Sequence, residues 1–291
     1  MYSAVELLEH PVRTTTIPYL PSAKSEPSVA LRALSLAGRL VWRATKPVLA
    51  IAAFLLLWQF APAAGLVDEV FLPPFTVVAE AFADLVRSGE MWNHVSTSLG
   101  RSVTGFGFAL TIAVPLGIAI AWYKPVSELL NPILELFRNT AALALLPVFV
   151  LILGIGETSK VALVFYASSF PILLNTITGV RTVDPLLVKS AVSLGLKPIR
   201  LFQKVILPAA IPSIFTGLRM AAASSILVLL AAEMVGARAG LGYLITAAQQ
   251  NFQIPDMYAG ILAISLLGLT FNGLLVTLER RFSRWRVQSN S

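Results

Sequence analysis

The sequence predicts an all-α, polytopic membrane protein with six transmembrane helices and both termini in the cytoplasm. Three observations carry that prediction. Of 291 residues, 56% are hydrophobic and 13% charged, where ordinary globular chains carry roughly a quarter charged residues. Long windows lack Asp, Glu, Lys and Arg altogether. The positive charges fall almost entirely on one side of those windows.

A bilayer core needs about 20 apolar residues in a helix, and five charge-free windows meet or approach that length: 47–67, 102–123, 139–156, 161–180 and 257–278. The third is only just long enough, and Pro132–Phe137 can extend it if Glu135 and Arg138 face protein. A further span is expected over Ser213–Val235, where Arg219 snorkels toward one surface and Glu233 lies near the other. Hydrocarbon leaves no partner for free backbone groups, so each window must be a helix; a β-barrel would show short alternating segments. Placing the N-terminus inside puts sixteen Lys and Arg on the cytoplasmic side, against Arg87, Arg101, Lys160 and Arg238 outside. The net charge of +7 is therefore topology, and nucleic acid is not an expected partner. Trp58, Trp92, Trp122 and Trp285 sit near the window edges, as amphipathic rings do at a bilayer surface.

Residues 1–46, with Pro11, Pro18, Pro21 and Pro27 among Ser and Thr, read as a flexible cytoplasmic tail whose Leu31–Lys46 part forms an interfacial helix. Residues 47–286 are the membrane domain and 287–291 a short tail. Between the first two windows, Val77, Val78, Ala81, Phe82, Leu85 and Val86 share one face of an amphipathic helix, expected to be capped by Thr76 and closed by Gly89. In the second window Gly105, Ala109, Ala113, Gly117 and Ala121 recur every four residues. That stripe of small side chains suits close helix packing, within one chain or across a dimer. Pro115 is expected to kink this helix.

The loop 181–212 carries most information. Asp184 before Pro185 is a helix start, since Asp caps free N–H groups and proline at the first position needs none. Leu186, Leu187, Ala191, Val192 and Leu194 supply apolar surface, and Gly195 is placed to end the helix with a left-handed residue. Pro198 starts a second short helix, with Arg200, Gln203 and Lys204 opposite Ile199, Phe202, Val205 and Ile206, and Pro208 is expected to break it. Two short helices joined at a glycine make a knob too small to fold alone, which must dock on the membrane domain, a partner, or both.

Lys189, Ser190, Ala191, Gly195, and then Ile206, Leu207 and Pro208 resemble the EAA loop of permease subunits of bacterial ABC importers, in which Glu-Ala-Ala precedes a glycine and an Ile-x-Leu-Pro. Pro212 to Arg219, Ala232 to Met234, Gly240 to Tyr243 and Leu72 to Pro74 are similar to the branch importing sulfonates, taurine, nitrate or bicarbonate. The resemblance covers about residues 47–286. It implies a type I importer permease in the bacterial inner membrane, paired with a second copy of itself, two cytoplasmic ATPase subunits that hold ATP and magnesium, and an extracytoplasmic binding protein. It also implies that Asp184, Lys189, Ser190, Ala191, Gly195, Lys197, Ile206 and Pro208 serve ATPase coupling. Lys189 stands where the family pattern has Glu, so any ion pair made by that carboxylate is lost or reversed.

Nothing in the chain could do the ATP chemistry. It has no Gly-Lys dipeptide and so no phosphate-binding loop, no cysteine and only two histidines, and it calls for no cofactor or metal of its own. An enzyme is not expected. A secondary transporter or channel remains the alternative, though paired broken helices and relay acids are missing. Glu233 is the first candidate for the pathway or its gating, because an acid within a membrane helix marks function by default; a boundary carboxylate bound to Arg238 or to backbone N–H groups is the other reading. Asn139, Asn175 and Asn272 are further polar candidates, each also suited to a helix-to-helix hydrogen bond. Glu135 and Arg138 stand three apart and should neutralise one another.

Overall fold

The computed structural model describes residues 29–282, with side chains described from Thr45 on apart from Pro47. Residues 1–28 of the expected tail 1–46, and residues 283–291, which include Arg284, Trp285, Arg286 and the whole expected tail 287–291, lie outside the described residues. The chain divides into two units at Leu56/Leu57. The first consists of most of helix α1 (Val29–Ala63), which carries the apolar stretch Val48–Ala63.

The second unit is helical throughout among the described residues: α2 (Phe75–Arg87), α3 (Glu90–Trp122), α4 (Lys124–Arg138), α5 (Leu146–Leu153), α6 (Glu157–Arg181), α7 (Pro185–Ser193), α8 (Pro198–Leu201), α9 (Leu207–Met234), α10 (Leu241–Gln250) and α11 (Ile254–Phe282). Among the described residues, four helical runs are long and apolar enough to cross a membrane: α3, α6, the run Pro198–Met234 and α11. The bent pair α4 and α5 brings the number to five. The remaining expected span, 47–67, corresponds to the shorter apolar stretch Val48–Ala63 of α1.

Helix α6 is the axis of the packing, with α3 on one side and α9 on the other. Small residues let it be so. A Cβ on Gly105 would lie 2.7 Å from Val164 Cγ1, and one on Gly117 would lie 2.9 Å from Thr176 Cβ. With Ala109 and Ala113 fully buried between them, the stripe read from the sequence is a contact within one chain. A second stripe, invisible to that reading, joins α6 to α9: a Cβ on Gly179 would stand 2.7 Å from Ser213 Cβ, and one on Gly217 2.7 Å from Asn175 Cβ. Where lipid tails are as apolar as leucine, such close backbone approach supplies the dispersion that holds helices together.

Several expectations are corrected. The window 139–156 is not one helix: α4 and α5 meet at 87° across a 3₁₀ turn at Ala142–Leu145. Asn139 closes α4 by donating from Nδ2 to the Glu135 carbonyl at 2.8 Å, and Pro147 opens α5. Glu135 and Arg138 do pair, at 2.9 Å, but on an exposed face rather than toward protein. Thr76 does not cap α2. The Gln59 side-chain amide does that work, accepting from the Thr76 N–H at 3.0 Å and donating to its hydroxyl at 3.3 Å.

Pro208 breaks nothing. Residues Phe202–Ile206 form a π turn, in which the Leu207 N–H donates to the Phe202 carbonyl five residues back. That wider turn takes up the missing proline N–H, and Pro198–Met234 continues as one helical run.

Candidate functional site

Two places concentrate the residues singled out in the sequence, and they lie at opposite ends of α9. The first is the elbow between α6 and α9. Asp184 accepts the Leu186 N–H at 2.8 Å on its carboxylate, and Pro185 follows as the first residue of α7. At the other end the Leu196 N–H donates to the Ala191 carbonyl at 3.2 Å and the Gly195 N–H to Val192 at 2.9 Å, with Gly195 at φ +78°. This pair of bonds is the Schellman closure that a left-handed glycine permits. Ala191, Leu201 and Ile206 turn inward and join the core with Ile120, Val180 and Ala210, while Trp122 stacks edge-on against Phe202 at 5.4 Å. The opposite side is left bare. Leu186, Leu187, Val192, Leu194 and Ile199 are exposed, with Lys189, Ser190 and Lys197 among them. The elbow is thus rigidly capped at both ends and seated on the bundle, with an uncovered apolar ridge among basic groups.

The second place is a buried polar cluster where α9 meets α10. Glu233 is 1% exposed. Its carboxylate accepts from Arg101 Nη1 at 2.8 Å, from the Ser98 hydroxyl at 2.8 and 2.9 Å and from the Gly242 N–H at 2.9 Å. The partner is Arg101, not Arg238, which lies exposed. Arg101, 5% exposed, also donates to the Ala239 carbonyl at 2.7 Å and, through Nε and Nη2, to Glu157 at 2.5 and 2.6 Å. The Gly240 N–H donates to His94 Nδ1 at 3.1 Å and the Leu241 N–H to Ser98 Oγ at 2.8 Å. Lys160, also buried, donates to the Gly156 carbonyl at 3.0 Å. The loop 236–240 is therefore tied to α3 by consecutive backbone groups, and a Cβ on Gly240 would meet the Glu233 carboxylate at 2.4 Å. A carboxylate with all these donors, buried opposite an arginine, is satisfied in a way that an isolated buried charge is not.

Arg101 and Lys160 each border a charge-free window, which reads as a position outside the membrane; in the structure both lie within helices, α3 and α6, and are buried. A usable signal existed. Extended one turn back, the stripe Gly105, Ala109, Ala113, Gly117 reaches Arg101, on the face that α6 buries.

The three asparagines do not join either place. Asn175 is half-buried and returns its Nδ2 to the Pro171 carbonyl at 2.9 Å, and Asn139 likewise bonds within its own helix. Asn272 is exposed and, with Arg219 and Ser265, lines a largely apolar cavity of about 360 Å³ between α9 and α11. Arg219 pairs with Glu279 at 3.3 Å.

Residues 113–284 match the family described as binding-protein-dependent transport system inner membrane component. A putative aliphatic sulfonates transport permease protein of Bacillus subtilis is 33% identical over 83% of this chain and 87% of its own length. A taurine transport system permease protein of Escherichia coli is 32% identical over 85% of this chain and 94% of its own length. Among solved structures, the methionine ABC transporter MetNI in an inward-facing conformation superposes with a TM-score of 0.55 at 18% identity, over 65% of this chain and 94% of that one, a likeness of fold.

Proposed function

This chain belongs to the binding-protein-dependent transport family of inner membrane components, and on that premise we propose that it is the permease subunit of an ATP-driven importer of small anions, sulfonates first, with nitrate or bicarbonate as the wider class. Two copies form the pathway, two cytoplasmic ATPase subunits bind ATP and magnesium, and an extracytoplasmic binding protein delivers the solute. The chain itself takes no part in ATP chemistry. Both termini and the elbow face the cytoplasm, and the Glu233 cluster lies at the outer end.

The observation that carries this reading is the elbow. A capped pair of short helices that presents five exposed apolar side chains is a surface built to be covered, and a separate ATPase supplies the cover. The inward-facing side of the elbow is continuous with α9 through the π turn, so displacement of α7 and α8 is passed to a membrane helix. Alternation between two openings then needs only rigid helices rocking between packed states. Asp184, Gly195 and Pro208 shape the elbow; Lys189, Ser190 and Lys197 lie on the contact face; Ala191 and Ile206 anchor it. Lys189, in place of the family's Glu, suits an acidic residue on the ATPase.

Among the pathway candidates, Asn139 and Asn272 have the exposure needed to meet solute. Glu233 acts as a support for the outer end of the bundle, and Asn175 as helix packing. The competing reading, a self-driven secondary carrier or channel, leaves the exposed ridge without a purpose. Liposomes decide between them. The full complex with its binding protein should accumulate taurine or ethanesulfonate only when ATP is supplied, and the chain alone should accumulate neither. Accumulation by the chain alone would overturn the importer reading.

A further inference from the structure

Arg101 divides its guanidinium between two carboxylates in very different settings. Glu233 is enclosed, whereas the Glu157 side chain is 66% exposed although it takes both Nε and Nη2 of the fork. Glu157 also borders an open cavity of about 480 Å³ between α3 and α6, with Phe108, Ile112, Thr158, Val161 and Phe165 around it. A bidentate arginine fork suits any oxyanion that presents two oxygens in a plane, so an exposed glutamate on that fork is a replaceable anion.

Resting on the sulfonate reading above, the geometry points to Arg101 as an anion-exchange site: the sulfonate group of an incoming alkanesulfonate displaces Glu157 from Nε and Nη2, and its short alkyl chain lies along the Phe108–Phe165 groove. The charge count supports the exchange. Arg101 and Lys160 are balanced by Glu233 and one further negative charge, and a sulfonate carries the one charge that Glu157 withdraws into water. Because Glu157 already stands exposed, its swing outward uncovers little new surface. A tethered competitor keeps the site weak, which suits a permease that must release what it receives. Glu157 is then a specificity residue: neutral solutes cannot displace it, and cations gain nothing from the fork.

The test uses the full chain in nanodiscs of neutral phosphatidylcholine and the probe 2,2,2-trifluoroethanesulfonate, followed by ¹⁹F line broadening. Wild type should bind weakly, and Glu157→Gln, which removes the competing charge and keeps the side-chain shape, should bind about tenfold more tightly. The uncharged analogue 2,2,2-trifluoroethanesulfonamide should bind neither. Equal binding of sulfonate by the two proteins, or binding of the sulfonamide, would overturn the assignment. A second readout needs no variant: in wild type at saturating probe, magnetisation transfer from the trifluoroethyl group to Phe108 and Phe165 ring protons is expected, and its absence refutes the site. Repeating the titration in discs containing phosphatidylglycerol separates a solute from a lipid headgroup. Binding retained there supports the solute site, and binding lost there assigns the fork to lipid phosphate and overturns it. ATP-driven uptake by the whole complex, measured separately, reports on the importer reading, so the site can fail while that reading stands.

Discussion

Removing the Glu233 carboxylate should unlatch the loop that precedes α10. Glu233→Ala leaves three donors without their acceptor: Arg101 Nη1, the Ser98 hydroxyl and the Gly242 N–H. Breaking a buried ion pair by deleting one partner costs about 3–5 kcal/mol. The low end applies here, because Arg101 keeps Glu157 and the Ala239 carbonyl and Ser98 can rotate. A cost of about 3 kcal/mol, borne by the segment that Glu233 ties down, raises its opening roughly a hundredfold. Trypsin reads this directly. The Arg238–Ala239 bond lies inside the tethered loop, and cleavage tracks the open population when opening is fast relative to cutting. The detergent-solubilised Glu233→Ala protein should be cut after Arg238 roughly a hundredfold faster than wild type. Glu233→Gln should fall between, since one oxygen still accepts while its amide hydrogens face donors. A cleavage rate within threefold of wild type for Glu233→Ala would refute the latch.

Gly195→Val places a β-branched residue at φ +78° where a Cβ meets nothing within 4 Å, so the cost is backbone strain, about 1–2 kcal/mol or more; ATP hydrolysis by the complex should persist while uptake is lost, and normal uptake would count against the elbow's role. Asp184→Ala removes the cap of α7 at a cost of about 1 kcal/mol, and ATP-driven uptake should drop severalfold with membrane insertion unchanged; full uptake would show that the cap is dispensable. Gly117→Leu must push apart α3 and α6, because even its Cβ would lie 2.9 Å from Thr176; overpacking of this kind costs about 1–3 kcal/mol, and the melting temperature in detergent should drop by several degrees, whereas an unchanged melt would argue that this contact yields.

The sequence made some of this structure readable because the governing physics is local. Asp184-Pro185 and Gly195 announce the two ends of α7 through capping and backbone sterics alone, and the Gly105–Gly117 stripe announces close packing by its period. Other features depend on groups far apart in the chain. The bend between α4 and α5 is hidden inside a window that is apolar on both sides of the turn. Gln59 caps a helix that begins 16 positions later, a task that Thr76 seemed placed to do. Glu233 finds Arg101 132 positions away, while nearby Arg238 was the partner that sequence distance suggested. A charge at the edge of an apolar window reads as the end of a span, yet a charge with a partner can lie inside one, as Arg101 does in α3. The second small-residue seam, Gly179 and Gly217, escaped because its two halves lie on different helices and only the structure brings them together.

The central claim is that the elbow takes force from an ATPase this chain does not contain. With no native cysteine in the chain, Leu194→Cys places a single exposed thiol on the ridge, and labelling it with 4-maleimidobenzophenone, then irradiating inside-out vesicles so that the ketone inserts into a neighbouring C–H bond, tests its neighbour. The account predicts one adduct, between this chain and the co-expressed ATPase subunit, accompanied by loss of ATP-driven uptake. A thiol that forms no ATPase adduct, or that an impermeant maleimide reaches from outside intact cells, would contradict it.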